Sequence, residues 1–168
     1  MRGAGRAPVG SDTGDETVAE IREAMAAYRA TGARFQSTYH LTLLAQALAA
    51  RGRYDEGLAS LRGAAALVEE TGERYFEAGI HRLEGNLLLA ENGSVKAEAC
   101  YAKALEVARA QEARSLELHA AYDLARLWTG RGERARAADL LGPVYGWFTE
   151  GFETADLKEA KALLDALR

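Results

Sequence analysis

Apolar residues recur at helical spacing along most of this chain. The first stripe comprises Val18, Ile21, Met25 and Tyr28, which fall at positions i, i+3, i+7 and i+10. Residues at these spacings share one face of an α-helix. Gly32 follows at the place where a helix often ends with a glycine. The pattern therefore predicts an amphipathic helix that ends at Gly32.

The same pattern continues, and it predicts eight helices in all. Glycines and the turn dipeptide Asn92-Gly93 separate them, and short connections make successive helices antiparallel neighbours. Gly142-Pro143 falls inside the seventh helix, where we expect a kink or a break because proline removes an amide donor. The predicted helices are 15–30, 34–51, 54–71, 74–91, 95–111, 114–129, 133–148 and 154–167.

Small residues recur along the chain with a fixed period of 40 residues. A period in this range is typical of a solenoid, in which each unit buries its apolar face against its neighbours. The predicted fold is therefore all-α, a right-handed superhelical array of antiparallel helix pairs. The recurring sets are Ala45, Gly85 and Ala125; Gly57, Ala97 and Ala137; and Ala64, Ala104 and Val144.

Composition and charge narrow the functional classes. The 168 residues are 48% hydrophobic, and the net charge of −4 comes without a basic cluster, so we expect no nucleic-acid or membrane partner. Cys100 is the only cysteine, which excludes a disulfide framework. There is no glycine-rich phosphate loop and no metalloprotease motif. We therefore expect a cytoplasmic, non-enzymatic protein without a metal, a cofactor or catalytic residues.

The spacing of the small residues resembles that of the tetratricopeptide repeat (TPR). Steps of twelve and seven residues join Ala45 to Gly57 and Ala64, and a large residue recurs between the last two, as Leu61, Tyr101 and Leu141. The segment 97–108, AEACYAKALEVA, is similar to the second helix of that family. The usual TPR unit has about 34 residues, so these units are longer. The resemblance implies a flexible tail (1–14), a half-unit (15–32), units 33–72, 73–112 and 113–152, and a capping helix (153–168).

A narrower resemblance concerns the stretch 72–89, GERYFEAGIHRLEGNLLL, together with the last third of the chain, where it is specific from residue 113 to residue 164. These segments are similar to the TPR set that closes large bacterial regulators with a predicted ATPase module, often beside a cyclase domain or a LuxR-type DNA-binding domain. This resemblance implies a protein-interaction module that serves as the sensory or scaffolding part of a signalling or transcriptional regulator. Two alternatives stay open: an intramolecular regulatory or oligomerisation domain, and a helical array that senses a small molecule.

The first helix of each TPR unit lines a concave groove, which implies a set of binding residues. Arg82 and Asn86 lie one turn apart and match positions that hold a peptide carboxylate in some TPR domains. Asp123 sits on the groove face of the next unit and could neutralise Arg82 or Arg126 instead. The predicted groove residues are Tyr39, Thr42, Gln46, Arg82, Asn86, His119, Tyr122, Asp123 and Arg126.

Three further features yield expectations. The histidines of successive units, His40, His81 and His119, are out of register and should not share a metal ion. The aromatic run Tyr145, Trp147, Phe148 and Phe152 could form a partner patch, but we expect it to seal the core at the end of the array. The N-terminal half-unit lacks its first helix, so its uncovered apolar surface could support a homodimer.

Overall fold

The computed structural model describes residues 12–32, 36–91 and 93–167, and this part of the chain forms eight α-helices and no strand. The eight predicted helices are confirmed, with shifted ends. The helices are α1 (Asp12–Ala30), α2 (Ser37–Ala49), α3 (Tyr54–Thr71), α4 (Glu77–Ala90), α5 (Ser94–Ala110), α6 (Arg114–Gly130), α7 (Arg134–Gly146) and α8 (Ala155–Leu167). No helix in the described ranges combines the length and apolar character needed to cross a membrane.

Two predicted boundaries need correction. The flexible tail was placed at 1–14, but Asp12 to Gly14 belong to α1, and residues 1–11 lie outside the described part of the chain. The predicted break at Pro143 does not occur, because α7 runs on to Gly146. Pro143 lies in the last turn of α7, where the loss of one amide donor disturbs little of the helix.

The recurring small residues lie where two helices of one unit meet. Ala45, Ala125, Ala97 and Ala137 are fully buried, and the glycine at 85 is buried with them. A Cβ on Gly85 would lie 2.6 Å from Cε1 of Tyr101 and 3.2 Å from the backbone oxygen of Ala97. The repeated small residues therefore mark the place where α4 and α5 approach each other most closely. Equivalent positions of the repeat mark the same place in the other helix pairs.

The helices stack as a row of pairs. Within the described residues the backbones of α2 and α4, of α4 and α6, and of α6 and α8 approach one another closely, whereas those of α3, α5 and α7 do not. The ion pair between Arg136 on α7 and Glu98 on α5, at 3.4 Å, is made by long side chains. The first helices of the units therefore lie closer together than the second helices, which gives the array an inner side built by α2, α4, α6 and α8. One large buried cluster covers α1 to α4, and another covers α5 to α8.

Helix α8 occupies the place of a first helix in a fourth unit. Its inner residues Leu157 and Ala160 are buried in the second cluster. Asp165 stands 40 residues after Ala125, at the position of the small residues Ala45, Gly85 and Ala125 in the preceding units. It forms an ion pair with Lys161. Because this outward face is charged, α8 suits the predicted role of a cap with one dry face and one wet face.

Candidate binding groove

Two neighbouring cavities open along the inner side of the second half of the array. The α6–α8 cavity has a volume of about 330 Å³, and the α4–α6 cavity has a volume of about 640 Å³. Asp123 and Arg126 line both of them, so the cavities are neighbours on the same surface, and we call the two together the groove. The first is lined by Arg82, Leu118, His119, Tyr122, Asp123, Arg126, Ala155, Asp156 and Glu159. The second is lined by Asn86, Leu89, Ala90, Ser94, Tyr101, Asp123, Arg126, Leu127, Gly130 and Arg131.

The structure thus brings six predicted groove residues to the same surface. Helix α4 supplies two of them and helix α6 four, because residues three, four and seven apart share one helix face. These residues are Arg82, Asn86, His119, Tyr122, Asp123 and Arg126.

The pair that resembles a carboxylate-holding site is engaged within the chain. Nη1 of Arg82 donates a 2.9 Å hydrogen bond to Oδ2 of Asp123, and the two side chains are 26% and 11% exposed. The Tyr101 hydroxyl donates a 2.7 Å hydrogen bond to Oδ1 of Asn86. The internal ion pair weighed as the alternative has therefore formed, and Arg82 is not a solvent-facing clamp.

Arg126 is an exposed cation that lines both cavities of the groove. Its guanidinium carbon lies 5.6 Å from the centre of the Tyr122 ring, an arrangement in which the ring face attracts the positive charge. In the part of the chain that the structure describes, no carboxylate forms an ion pair with Arg126. Its planar set of donors can therefore reach a carboxylate or a backbone carbonyl of a ligand.

His119 on α6 lies in the wall of the α6–α8 cavity beside Asp156 on α8. Its Nε2 lies 3.2 Å from Oδ2 of Asp156, which joins α6 to the first turn of α8. Hydrogen bonds, above all from the Thr154 hydroxyl and also from His119, lower the pKa of Asp156. This contact holds α8 against the groove, so α8 contributes to its wall.

The predicted residues of the first unit divide into accessible and buried ones. Tyr39 is 38% exposed and Gln46 is exposed as well. Thr42 is fully buried, and its hydroxyl donates a 2.7 Å hydrogen bond to the Tyr39 carbonyl. The prediction that Thr42 lines the groove is therefore wrong, because a short side chain at this position is covered by its neighbours.

The histidines do not converge. His40 packs edge-on against Tyr28 with ring centres 5.1 Å apart, while His119 bonds to Asp156. No group of three metal-ligating side chains occurs among the residues with described positions. Burial raises the pKa of the Cys100 thiol to about 11, so this side chain is a protonated thiol at neutral pH.

The aromatic run after α7 is less buried than its predicted role in the core requires. Trp147 is 56% exposed and Phe152 is 42% exposed, so the core prediction is wrong for these two. Tyr145 and Phe148 are half-buried against the second cluster. The Arg114 guanidinium carbon lies 5.0 Å from the Trp147 ring centre, and this contact covers one side of the indole.

Sequence reasoning missed two carboxylates that join successive units. Glu117 is 5% exposed and accepts hydrogen bonds of 2.8 Å from both Arg109 and Arg114. Glu98 on α5 accepts a 2.9 Å hydrogen bond from Nε1 of Trp128 on α6. The Glu98–Trp128 contact has no signature in the chain, because the two residues are thirty residues apart and depart from the repeat. The Arg114–Glu117 pair does have one, since it stands one period after the i,i+3 pair Arg74–Glu77.

Comparison with known proteins supports the fold. No protein-family model and no curated protein sequence matches the chain. The crystal structure of BtubC (BKLC) from P. vanneervenii is similar with a TM-score of 0.74 and 21% identity over 93% of this chain. The match covers 65% of BtubC, so this chain spans a little less than two thirds of that protein.

Two crystal structures of kinesin light chain TPR-like repeats from Podosopora anserina are also similar. Their TM-scores are 0.68 and 0.66, with 17% and 18% identity over 92% of this chain and 76% and 77% of those chains. At this level of identity the likeness concerns the fold. Together with the eight helices and the 40-residue register, it shows that this chain folds as a TPR-like helical repeat array.

Proposed function

We propose that this chain is a protein-interaction module that holds an extended segment of a partner in the groove lined by α4, α6 and α8. TPR-like arrays are typically non-catalytic scaffolds, and the proposal follows that general role. The observation that carries it is the pair of neighbouring cavities that share Asp123 and Arg126. A segment of several residues can cross both cavities, whereas a single side chain fills only one.

The groove offers a ligand both apolar and polar contacts. Leu89 and Leu127 line the α4–α6 cavity and can pack against an apolar side chain. Arg126 supplies hydrogen bonds to a carboxylate or to main-chain carbonyls. The side chains around it are already fixed by the Arg82–Asp123 and His119–Asp156 contacts. Such preorganisation lowers the entropy cost of binding.

The biological setting is part of the proposal. We infer that the module belongs to a cytoplasmic bacterial signalling or transcriptional regulator, with support from the resemblance of residues 113–164. Within a larger polypeptide the same groove could hold a segment of another domain of that polypeptide. A native reading frame that extends upstream into an ATPase domain would favour this intramolecular form, and a frame without one would favour a separate partner.

Self-association through α1 is a second contact that we propose. Ile21 and Ala24 stand one period before Leu61 and Ala64, which are almost fully buried by the first helix of their unit. Ala24 is exposed and Ile21 is half-buried, and a second copy could cover both. Sedimentation at high micromolar concentration should then give the mass of a dimer, and a monomeric mass would count against this contact.

The groove proposal can be tested by selection from a random peptide library displayed on phage. We expect the wild-type chain to enrich peptides, and Arg126→Glu to reduce their binding about tenfold or more, since hydrogen bonds to a charged group are lost. Arg62→Glu is the matched control, because Arg62 is exposed on α3 outside the groove. Equal binding by the wild type and the Arg126→Glu variant would contradict the groove assignment.

A further inference from the structure

Two bulky apolar side chains of α2 are exposed on the groove-facing side of the first unit. Tyr39 is 38% exposed and Leu43 is 36% exposed, although large apolar side chains of this array are otherwise mostly covered. They stand four residues apart, so they are neighbours on one face of the helix. Gln46 continues the same face and is exposed too. The first unit therefore presents an apolar strip to solvent.

Aromatic rings from the next unit extend this strip. The Phe76 ring packs edge-on against Tyr39, with ring centres 5.4 Å apart and planes at 83°. Tyr75 is 47% exposed, and its ring centre lies 6.3 Å from that of Phe76. A Cβ on Gly79 would lie 2.7 Å from Cε1 of Phe76, so the glycine leaves the space that this ring occupies. We call Tyr39, Leu43, Tyr75 and Phe76 the aromatic patch.

The repeat register places the patch on the same surface as the two cavities. Adding two periods to Tyr39, Leu43 and Gln46 gives His119, Asp123 and Arg126, which line the cavities. The α2 residues are uncharged, whereas the equivalent positions of α6 carry an acid, a base and a histidine. The inner side of the array therefore changes from apolar at α2 to charged at α6 and α8.

We propose that the aromatic patch is an anchor site for a bulky apolar side chain, leucine or an aromatic residue, of the partner segment. The inference rests on the proposed groove function and names the chemistry of its ligand. The occupant is an amphipathic segment of a partner protein, with its apolar residue against α2 and its polar residues towards α6 and α8. This direction follows from the charge pattern, because α2 carries no Asp, Glu, Lys or Arg to pair with a charged ligand residue, whereas α6 and α8 offer Arg126 and Glu159.

The patch has the features of an energetic hot spot. Tyr and other aromatic side chains bury a large area at small cost in side-chain freedom, and one bulky residue in the right place often dominates an interface. The Phe76 ring already packs edge-on against Tyr39 and at a tilt against Tyr75, so these rings lose little freedom when a ligand covers them. The patch therefore specifies a bulky apolar side chain of the ligand and places it at the α2 end of the inner side.

The experiment uses the same random peptide library with three forms of the full chain. The wild type should enrich peptides that carry a bulky apolar residue at a fixed distance from polar residues. Leu43→Glu should reduce binding of those peptides about tenfold or more and remove the apolar preference from a new selection. Val95→Glu is the matched control, because Val95 is 78% exposed at the start of α5 and lines neither of the two cavities. Circular dichroism should show the same helix content in all three forms.

The outcomes separate this inference from the groove function. Enriched peptides without an apolar preference, or an unchanged preference in Leu43→Glu, would overturn the anchor site and leave the groove function standing. A selection that enriches no peptide would contradict the groove function, and the anchor site with it. Loss of the preference in Leu43→Glu but not in Val95→Glu supports the anchor site.

Discussion

Arg82 on α4 and Asp123 on α6 are joined by a 2.9 Å hydrogen bond from Nη1 to Oδ2, across 41 residues of sequence. Both side chains are largely covered, so water screens their attraction less than it does on an open surface. The pair links two successive units at the floor of the groove. Because Asp123 is paired with Arg82, we propose Arg126 rather than Arg82 as the cation that meets a ligand.

We expect the Arg82–Asp123 pair to contribute to the stability of the array. A double-mutant cycle with Arg82→Ala and Asp123→Ala should give a coupling of about 1 kcal/mol in the free energy of unfolding. The exposed pair Lys103–Glu106 serves as control and should give a coupling of only about 0.3 kcal/mol. A coupling for Arg82–Asp123 no larger than that of the control would refute the linking role.

The register predicts a strained backbone at Glu112. Gly32 and Gly72 end α1 and α3 with φ values of 80° and 73°, and Glu112, one period later, has φ 54°. A side chain in this left-handed region costs roughly 1–2 kcal/mol, which glycine avoids. Glu112→Gly should therefore raise the free energy of unfolding by about 1 kcal/mol in a urea titration. Gly72→Glu should lower it by a similar amount, and a destabilised Glu112→Gly variant would show that the strain is compensated.

The closest approach within the second unit should not tolerate a methyl group. Gly85→Ala would push Cβ against the buried Tyr101 ring, at 2.6 Å from Cε1, and we expect a loss of about 1–3 kcal/mol in unfolding free energy. Gly63→Ala is the control, because its nearest neighbour, Cδ1 of Leu41, would lie at 3.7 Å. That variant should gain about 0.5–1 kcal/mol from helix propensity. Equal effects of the two substitutions would argue against a steric limit at Gly85.

Glu117 should make stability depend on pH. Burial acts to raise its pKa, but the hydrogen bonds from Arg109 and Arg114 outweigh burial and leave the pKa below the ordinary value of 4.5. Because the pKa is lowered by folding, the carboxylate stabilises the fold above the unfolded pKa, and this contribution disappears as pH falls through the folded pKa.

Glu117→Gln should therefore lower the free energy of unfolding by about 1–3 kcal/mol near neutral pH, since bonds to a charged group are replaced. The difference from wild type should shrink as pH falls below 4.5. Glu106→Gln, at an exposed glutamate, is the control and should change the free energy of unfolding by only about 0.3 kcal/mol. Denaturant titrations across this range of pH measure both, and a cost of Glu117→Gln that is constant with pH would exclude the ionic origin.

The repeat itself made the fold predictable. Small residues such as Ala45 and Gly85 are constrained by close helix packing, which leaves a periodic signal in the chain. The same register placed Tyr39 and Arg126 on the inner side. It failed at Thr42, whose side chain is fully buried and bonded to the Tyr39 carbonyl.

The pairing of groove residues was less predictable. The repeat register allowed either Arg82 or Arg126 as the ion-pair partner of Asp123. Only the distances in the folded chain show that Arg82 on α4 is the partner. The exposure of Trp147 escaped prediction for a related reason. Its surroundings depend on how the segment after α7 turns towards α8, and an aromatic residue there fits a core or a surface equally well on sequence alone.

The most direct test of the central claim maps where a peptide touches the array. The wild-type chain, labelled with ¹⁵N, is titrated with the peptide that it enriches most strongly from the library, and changes in backbone amide shifts are followed. We expect the changes to cluster on α2, α4, α6 and α8, with Arg126 among the most affected residues. Changes confined to α3, α5 and α7 would contradict a binding groove on the inner side.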